Sequence, residues 1–378
     1  MEGKMGKQVE RHNSAESMLT GTWHLAQKLM PQVLCEQDAI FSPACVFQGL
    51  RAMQLGAAGK TARELDELLG APAGPSDADS SPAVNSLHDG SSHDDVTMLA
   101  SGIWLDDKAR PQAGIVEQCE TCGIPVRQTD LSSPETGTEI SRWINQKTNG
   151  MLSLQIEPDA EALVCLISAL YFKDTWCSTF DERATKRKPF HTPCGDVRAA
   201  FMREIGYFRV LDLDVATILA LPFLSGAELR LALPRDSKTP NDLLENTELL
   251  NAIAHFNAPE VYADVSIPKF SCGTTLRGLE SQLARAGFAS AATPDLSPLT
   301  GHVNAPASYV HATRLTVNEE GAEGSSYFFS AVAAGIPPKM PIPRVIVFDR
   351  PILFALVSPT GQPLFLGRVD RPQAEERS

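Results

Sequence analysis

The sequence has no apolar run of about 18 residues, the length a membrane-spanning helix needs. Its opening residues, Met1-Glu2-Gly3-Lys4-Met5-Gly6-Lys7, lack the apolar core of a secretory signal. The expected protein is soluble and cytoplasmic, which leaves secretion by another route or from a trimmed precursor open. Lys and Arg nowhere cluster with aromatic residues, and the densest basic group, Lys186-Arg187-Lys188, reads as a solvated turn. With a formal net charge of -13 the chain repels phosphate backbones, so nucleic acid is not an expected partner.

The 8 cysteines are scattered without the spacing of a disulfide scaffold, so reduced thiols are expected. Cys119 and Cys122 form one C-x-x-C, yet no second ligand pair lies nearby, and no metal site is expected. Enzymatic signatures are missing too: there is no G-x-S-x-G, H-E-x-x-H or strand-borne G-x-G-x-x-G. Gly56-Ala57-Ala58-Gly59-Lys60-Thr61 has its glycines too close for a phosphate loop and follows a helix rather than a strand. The protein is therefore not expected to be an enzyme or to carry a cofactor.

What is present is a chain of 378 residues with 43% hydrophobic composition, enough for a substantial core. Residues 15–30 and 44–70 have helical periodicity, with a break at Gly56 and Gly59 and Thr61 placed to cap Ala62 to Leu69. Residues 71–96 are rich in Pro, Ser, Asp and Gly and read as a flexible polar stretch with at most a short helix near Ala83 to Leu87. His88, His93, Asp94 and Asp95 fall there as exposed polar residues. Glu139 to Met151 is helical in spacing, and Ala162 to Phe172 reads as a strand buried on both faces. Strands are expected at Ala216 to Pro222, Glu228 to Leu233, Val261 to Pro268, Arg314 to Val317, Val345 to Val347, Ile352 to Ser358 and Leu364 to Val369. Helices are expected at Pro240 to Phe256 and Thr275 to Ala286. Early helices and late strands argue an α+β fold with mixed or antiparallel sheets.

One segment stands apart. Glu319-Glu320-Gly321-Ala322-Glu323 leads into a run from Gly324 to Ile336 with no charge and no proline, then Pro337-Pro338. An exposed loop of that composition is able to pair as a β-strand, because every backbone N–H is available. His311, taken alone, reads as a core histidine hydrogen-bonded to a neighbouring strand.

Several blocks together resemble the serpins, the family of suicide inhibitors of serine and some cysteine proteases. They are Phe41-Ser42-Pro43 with Leu55 to Leu65, then Ile140 to Ile144 with Thr148 to Leu152, then Ser168 to Trp176. Further along come Ala220 to Phe223, Ala232 to Pro234, Ile267 to Phe270, Val310-His311, Val317 to Gly321, Phe348 to Phe354 and Pro363 to Val369. The resemblance covers almost the whole chain. It implies a single serpin domain over 1–378, with three β-sheets, about nine helices and an exposed reactive-centre loop at about 319–343. It departs from the family at Asp38, Ser141 and Ser168, where Asn is common, and at Cys45, where Ser is common.

The implied function is irreversible inhibition of a serine protease by a monomer. The loop is cut, the protease is held as an acyl-enzyme, and the freed loop adds to the central sheet as a strand. The resemblance assigns Glu319, Glu320, Gly321, Ala322, Glu323 and Gly324 to the hinge, with Gly321 supplying backbone freedom. It assigns Ser42, Pro43, Cys45, Ser168, Trp176 and His311 to the region through which the sheet opens. Counted from Ala322, the inward set is Ala322, Gly324, Ser326, Phe328, Ser330 and Val332, uncharged and mostly small. A strand from Ala322 to Gly335 spans roughly 45 Å. The forward count from the hinge places the scissile bond at Gly335–Ile336, one step from Ala334–Gly335; the backward count from Arg344 places it at Lys339–Met340. Small residues suit elastase-like or subtilisin-like targets, and Lys339 suits a trypsin-like one. The alternative expectation is a non-inhibitory serpin acting as a carrier, binding protein or chaperone.

Overall fold

The computed structural model describes residues 19–35, 38–70, 97–121, 123–148, 150, 156–157, 160–322 and 341–372. The expected helix near Ala83 to Leu87, the polar stretch 71–96, Cys122 and residues 323–340 lie outside the described residues. So do Glu323, Gly324, the inserting set Ser326, Phe328, Ser330 and Val332, and the bond residues Ala334, Gly335, Ile336, Lys339 and Met340.

Nine α-helices lie among the described residues. They are α1 (19–33), α2 (Pro43–Leu55), α3 (Gly59–Leu69), α4 (Ile115–Thr121), α5 (Pro134–Lys147), α6 (Pro240–Leu243), α7 (Thr247–Ala254), α8 (Glu280–Ala286) and α9 (Ser297–Thr300). Ser42 caps α2 by accepting the Cys45 N–H, and Pro43 fills the first turn, where no N–H is needed. Thr61 is not the cap expected of it. Helix α3 begins earlier, after Ala58, and buried Thr61 instead accepts the Asp295 N–H at 2.8 Å and bonds Ser290. The helix expected over 240–256 is two, because Asn246 accepts the Leu249 N–H at 2.8 Å and starts α7 afresh.

The strands are β1 (Ile40–Phe41), β2 (Thr97–Asp106), β3 (Val126–Thr129), β4 (Val164–Phe172), β5 (Asp174–Thr175), β6 (Lys186–Thr192), β7 (Gly195–Asp212) and β8 (Ala216–Pro222). They continue with β9 (Glu228–Pro234), β10 (Glu260–Pro268), β11 (Phe270–Arg277), β12 (Ala307–Val317), β13 (Gly321–Ala322), β14 (Arg344–Val347), β15 (Ile352–Val357) and β16 (Pro363–Val369). Two expectations are corrected here. Lys186-Arg187-Lys188 is no turn but the start of β6, opposite Phe201, Ala200 and Ala199 of β7. The stretch expected as a helix from Thr275 is strand as far as Arg277, and Gly278, at φ 75°, turns the chain into α8.

A seven-stranded sheet has the order β3-β2-β4-β12-β13-β5, with β11 on the other edge of β12. A nine-stranded assembly has the order β1-β16-β15-β9-β8-β7-β10-β14, with β6 on β7. Of the three sheets the resemblance implies, the seven-stranded one is the first; β1-β16-β15-β9-β8 form the second and β10-β14 with β6 the third, and the long strand β7 connects these two. Its Phe201–Arg209 portion pairs with β10 and its Arg209–Asp212 portion with β8, so it joins the third sheet to the second.

Strand β4 is buried along its whole length, as its unbroken apolar run demands. Its side chains alternate between two faces. Cys165, Ile167 and Ala169 pack under α5 with Ile140, Trp143 and Ile144, while Val164 and Leu166 join the helical core and Leu170 and Phe172 the core between the sheets. The same alternation on β12 sends Val310 and Ala312 toward α5 and Tyr309, Leu315 and Val317 inward.

In the second sheet Gly367 lies opposite Phe354, whose buried ring occupies the place where a Cβ would stand. Gly367→Ala is expected to lower stability by about 1–3 kcal/mol through overpacking, measured by urea unfolding; an unchanged midpoint would show that the Phe354 ring can move aside.

Candidate functional site

The parallel pairing of β4 with β12 runs from Val164–Ala307 to Ala169–Ala312 and stops there. Beyond that point β4 stays paired with β2 and β12 with β11. The two-residue strand β13 lies further up, antiparallel to both neighbours: Ala322 pairs with Val317 of β12 and Asp174 of β5, and Gly321 with Thr175. One rung of a strand is therefore in place between the two halves of the sheet.

His311 sits one residue below the end of the β4–β12 pairing, opposite Ser168. Its ring is 1% exposed. Nε2 accepts the Ser42 backbone N–H at 3.0 Å, so the proton of the neutral ring is on Nδ1, which donates to Ser168 Oγ at 3.0 Å. Burial pushes its pKa down to about 4. One neutral imidazole thus joins the cap of α2 to β4 and β12, and the reading of His311 as a hydrogen-bonded core histidine agrees with this geometry. Cys45 lies on α2 beside this cluster, fully buried, its thiol pushed up to about 12 by burial. A thiol so placed is a small apolar filler and no nucleophile.

The hinge is held from both sides. Asn318 Oδ1 accepts the N–H groups of Glu320 and Gly321 at 3.0 and 3.2 Å, and Asn318 N–H donates to Gly321 O at 3.0 Å. Three donors from the 176–180 segment meet the three hinge carbonyls: Trp176 Nε1–H to Asn318 O, Trp176 N–H to Glu320 O and Phe180 N–H to Glu319 O, each at 2.9 Å. The Trp176 ring is buried, stacked on Phe223 with centroids 4.2 Å apart.

Glu319 is 3% exposed, bonded to Lys269 Nζ at 2.7 Å and to Thr185 Oγ1 at 2.8 Å. Burial acts to raise its pKa, but the hydrogen bonds from Lys269 and Thr185 outweigh burial and hold the carboxyl below its usual range. Gly321 has a physical reason different from the freedom expected of it. Its backbone is close to fully extended, at φ 158°, and a Cβ there would overlap the Asp174 carbonyl and come within 2.8 Å of Thr175 Cα. The position demands space.

The structure brings together Ser42, Pro43, Cys45, Ser168 and His311 in one cluster, and Trp176, Glu319, Glu320, Gly321 and Ala322 in another. Two of the noted departures lie elsewhere. Asp38 receives the Asp370 and Arg371 N–H groups at 2.7 and 2.9 Å, and Ser141 receives Ile156 N–H at 3.1 Å on α5. Sequence reasoning missed Thr185, Phe180 and the role of Lys269. Nothing local marks the first two, whereas Asn318 before two acids and a glycine carries a legible Asx-turn pattern.

His311 also fixes an acid response. The unfolded chain protonates the imidazole near 6.5 and the folded one only near 4, so the unfolded state binds more protons between these values. Its contribution, roughly 3 kcal/mol, is complete above pH 6.5 and lost as pH falls toward 4. Urea unfolding across that range is expected to show a steeper decline than His311→Gln shows; parallel pH profiles for the two proteins would refute it.

A family model described as serpin (serine protease inhibitor) matches residues 21–372. The chain is 26% identical over 366 residues to mouse (Mus musculus) Serpin B11, covering 89% of this chain and 94% of that protein. It is 27% identical over 366 residues to serine protease inhibitor 42Dd of Drosophila melanogaster, covering 91% and 94%. Among solved structures, Serpin48 of the insect Tenebrio molitor superposes with TM-score 0.80 at 20% identity, covering 95% of this chain and 99% of that one. Human thyroxine-binding globulin complexed with thyroxine does so with TM-score 0.79 at 20% identity, covering 97% and 100%. With the match running from α1 to the end of β16 and both clusters seated on that scaffold, the chain belongs to the serpin family.

Proposed function

We propose that this protein is an irreversible, suicide-substrate inhibitor of a serine protease. The observation that carries the reading is β13: Gly321 and Ala322 are paired antiparallel between β12 and β5, above the point where β4 and β12 cease to pair. A cleaved loop that continues from Ala322 extends a ladder already begun, so the nucleating step of strand addition has been taken. His311 with Ser42 and Ser168 is the shutter that must yield as the strand advances. Trp176, Glu319 and Asn318 fix the hinge from which it grows. The run that follows, with Ser326, Phe328, Ser330 and Val332 on the inward side, brings no charge into the sheet.

The scissile bond in this reading is Gly335–Ile336, with Ala334–Gly335 beside it, and the target is elastase-like or subtilisin-like. Pro337 and Pro338, lacking N–H groups, make a strand that continues to Lys339–Met340 a poor one. A second reading, a non-inhibitory carrier, is favoured by the likeness in fold to thyroxine-binding globulin.

Incubation with elastase-, subtilisin-, trypsin- and cathepsin-type enzymes is expected to give an SDS-resistant complex with a serine protease, and mass measurement of the released C-terminal peptide names the bond. Cleavage that yields neither a complex nor a rise in melting temperature would favour the carrier.

Ala322 is 0% exposed within the core between the sheets. Ala322→Arg places a charge there and is expected to convert the inhibitor into a plain substrate. Undiminished complex formation by this variant would contradict the insertion mechanism.

A further inference from the structure

A cavity of about 360 Å³ opens beside Trp176, on the side of the hinge-holding segment that faces β7 and β8. Its volume lies at the lower end of the range for small-molecule sites, roughly 300–1,000 Å³. The buried rings of Trp176, Phe180 and Phe208, together with Leu221, form its apolar wall.

Strand β7 creates the space. Glu204, Gly206 and Phe208 share one face by the alternation of the strand. Glycine weakens a strand interior and commonly marks a close approach there. A Cβ built on Gly206 meets nothing nearer than the Phe208 ring at 3.8 Å, so the missing side chain leaves open volume.

Two carboxylates and one guanidinium border the cavity. Glu204 is half-buried, and its hydrogen-bond partner is the neutral Ser178 hydroxyl at 2.7 Å. Burial pushes its carboxyl pKa up, against the lowering effect of that bond. Glu260 adds a second carboxylate at the rim. Arg209 also borders the cavity, but its guanidinium is paired with Glu228 and lies over the Phe256 ring at 5.4 Å. Among the described residues, this partly desolvated carboxylate beside aromatic walls has no cation paired with it.

We infer that this cavity binds a small arylalkyl ammonium ion, its charge on Glu204 and its ring in the space left by Gly206 against Trp176 and Phe208. Phenethylammonium is the simplest probe, because an aromatic body and a primary ammonium are the two features the walls complement. The binding test involves no protease, so its failure and that of the proposed inhibition are distinguishable. Trp176, part of this wall, also donates to the Asn318 and Glu320 carbonyls.

The experiment titrates the intact protein with phenethylamine at neutral pH, following tryptophan emission and melting temperature. Saturable binding with a raised melting temperature is expected. The anion 3-phenylpropionate, with the same ring, should cause neither change. Glu204→Gln is expected to weaken binding about tenfold or more. Gly206→Leu should fill the cavity and abolish binding without a drop in melting temperature. No saturation at millimolar amine, equal binding of the anion, or undiminished binding by Glu204→Gln would each overturn the inference.

Discussion

The fold turns on a single uncharged imidazole. His311 joins three elements through one ring: the capping residue of α2, the centre of β4 and the centre of β12. The arrangement works only in one protonation state, because Nε2 must accept while Nδ1 donates. Burial enforces that state by penalising the charged ring. Ser168 stands in place of the family's usual Asn; its hydroxyl oxygen accepts from the ring, and its O–H remains a donor. The bridge lies just below the place where the two strands part, so the same contact that closes the sheet marks the limit of its closure.

Above that limit the packing changes character. Below it, β4 and β12 are joined by backbone hydrogen bonds and covered by α5. Above it, their separation is spanned by the hinge, which is tied down by Trp176, Phe180, Lys269 and Thr185 rather than by a long ladder. Glu319 is the point of highest cost in that anchorage. Its carboxylate is almost fully buried, and it is tolerable because an ammonium and a hydroxyl both serve it. The aromatic stack of Trp176 on Phe223 fixes the indole so that its N–H points at Asn318.

Much of this is legible in the sequence. The unbroken apolar run of β4 announced a strand buried on both faces, and the order of the family blocks implied the serpin fold. The hinge acids and glycine were visible as a break in composition. What eluded the sequence depended on long-range pairing. The alternation along β7 is irregular because its neighbours change from β6 to β10 to β8 along its length, so no single period emerges. The turn expected at Lys186-Arg187-Lys188 failed because charges on an exposed strand face look like loop charges. Thr185 and Phe180 are unremarkable locally and matter only because the 176–185 segment passes beside the hinge. Gly321 was singled out for flexibility, whereas its environment demands room.

The long strand β7 has a mechanical meaning. A strand belonging to two sheets cannot slip by one residue in either without turning its alternate side chains to the wrong face in both. Val210 is buried where β7 meets β8, Met202 where it meets β10, and Phe201 where it meets β6. The nine-stranded assembly is therefore a register-locked chassis. Strand slip is barred in that chassis, whereas the two halves of the seven-stranded sheet meet only along the short seam between β4 and β12.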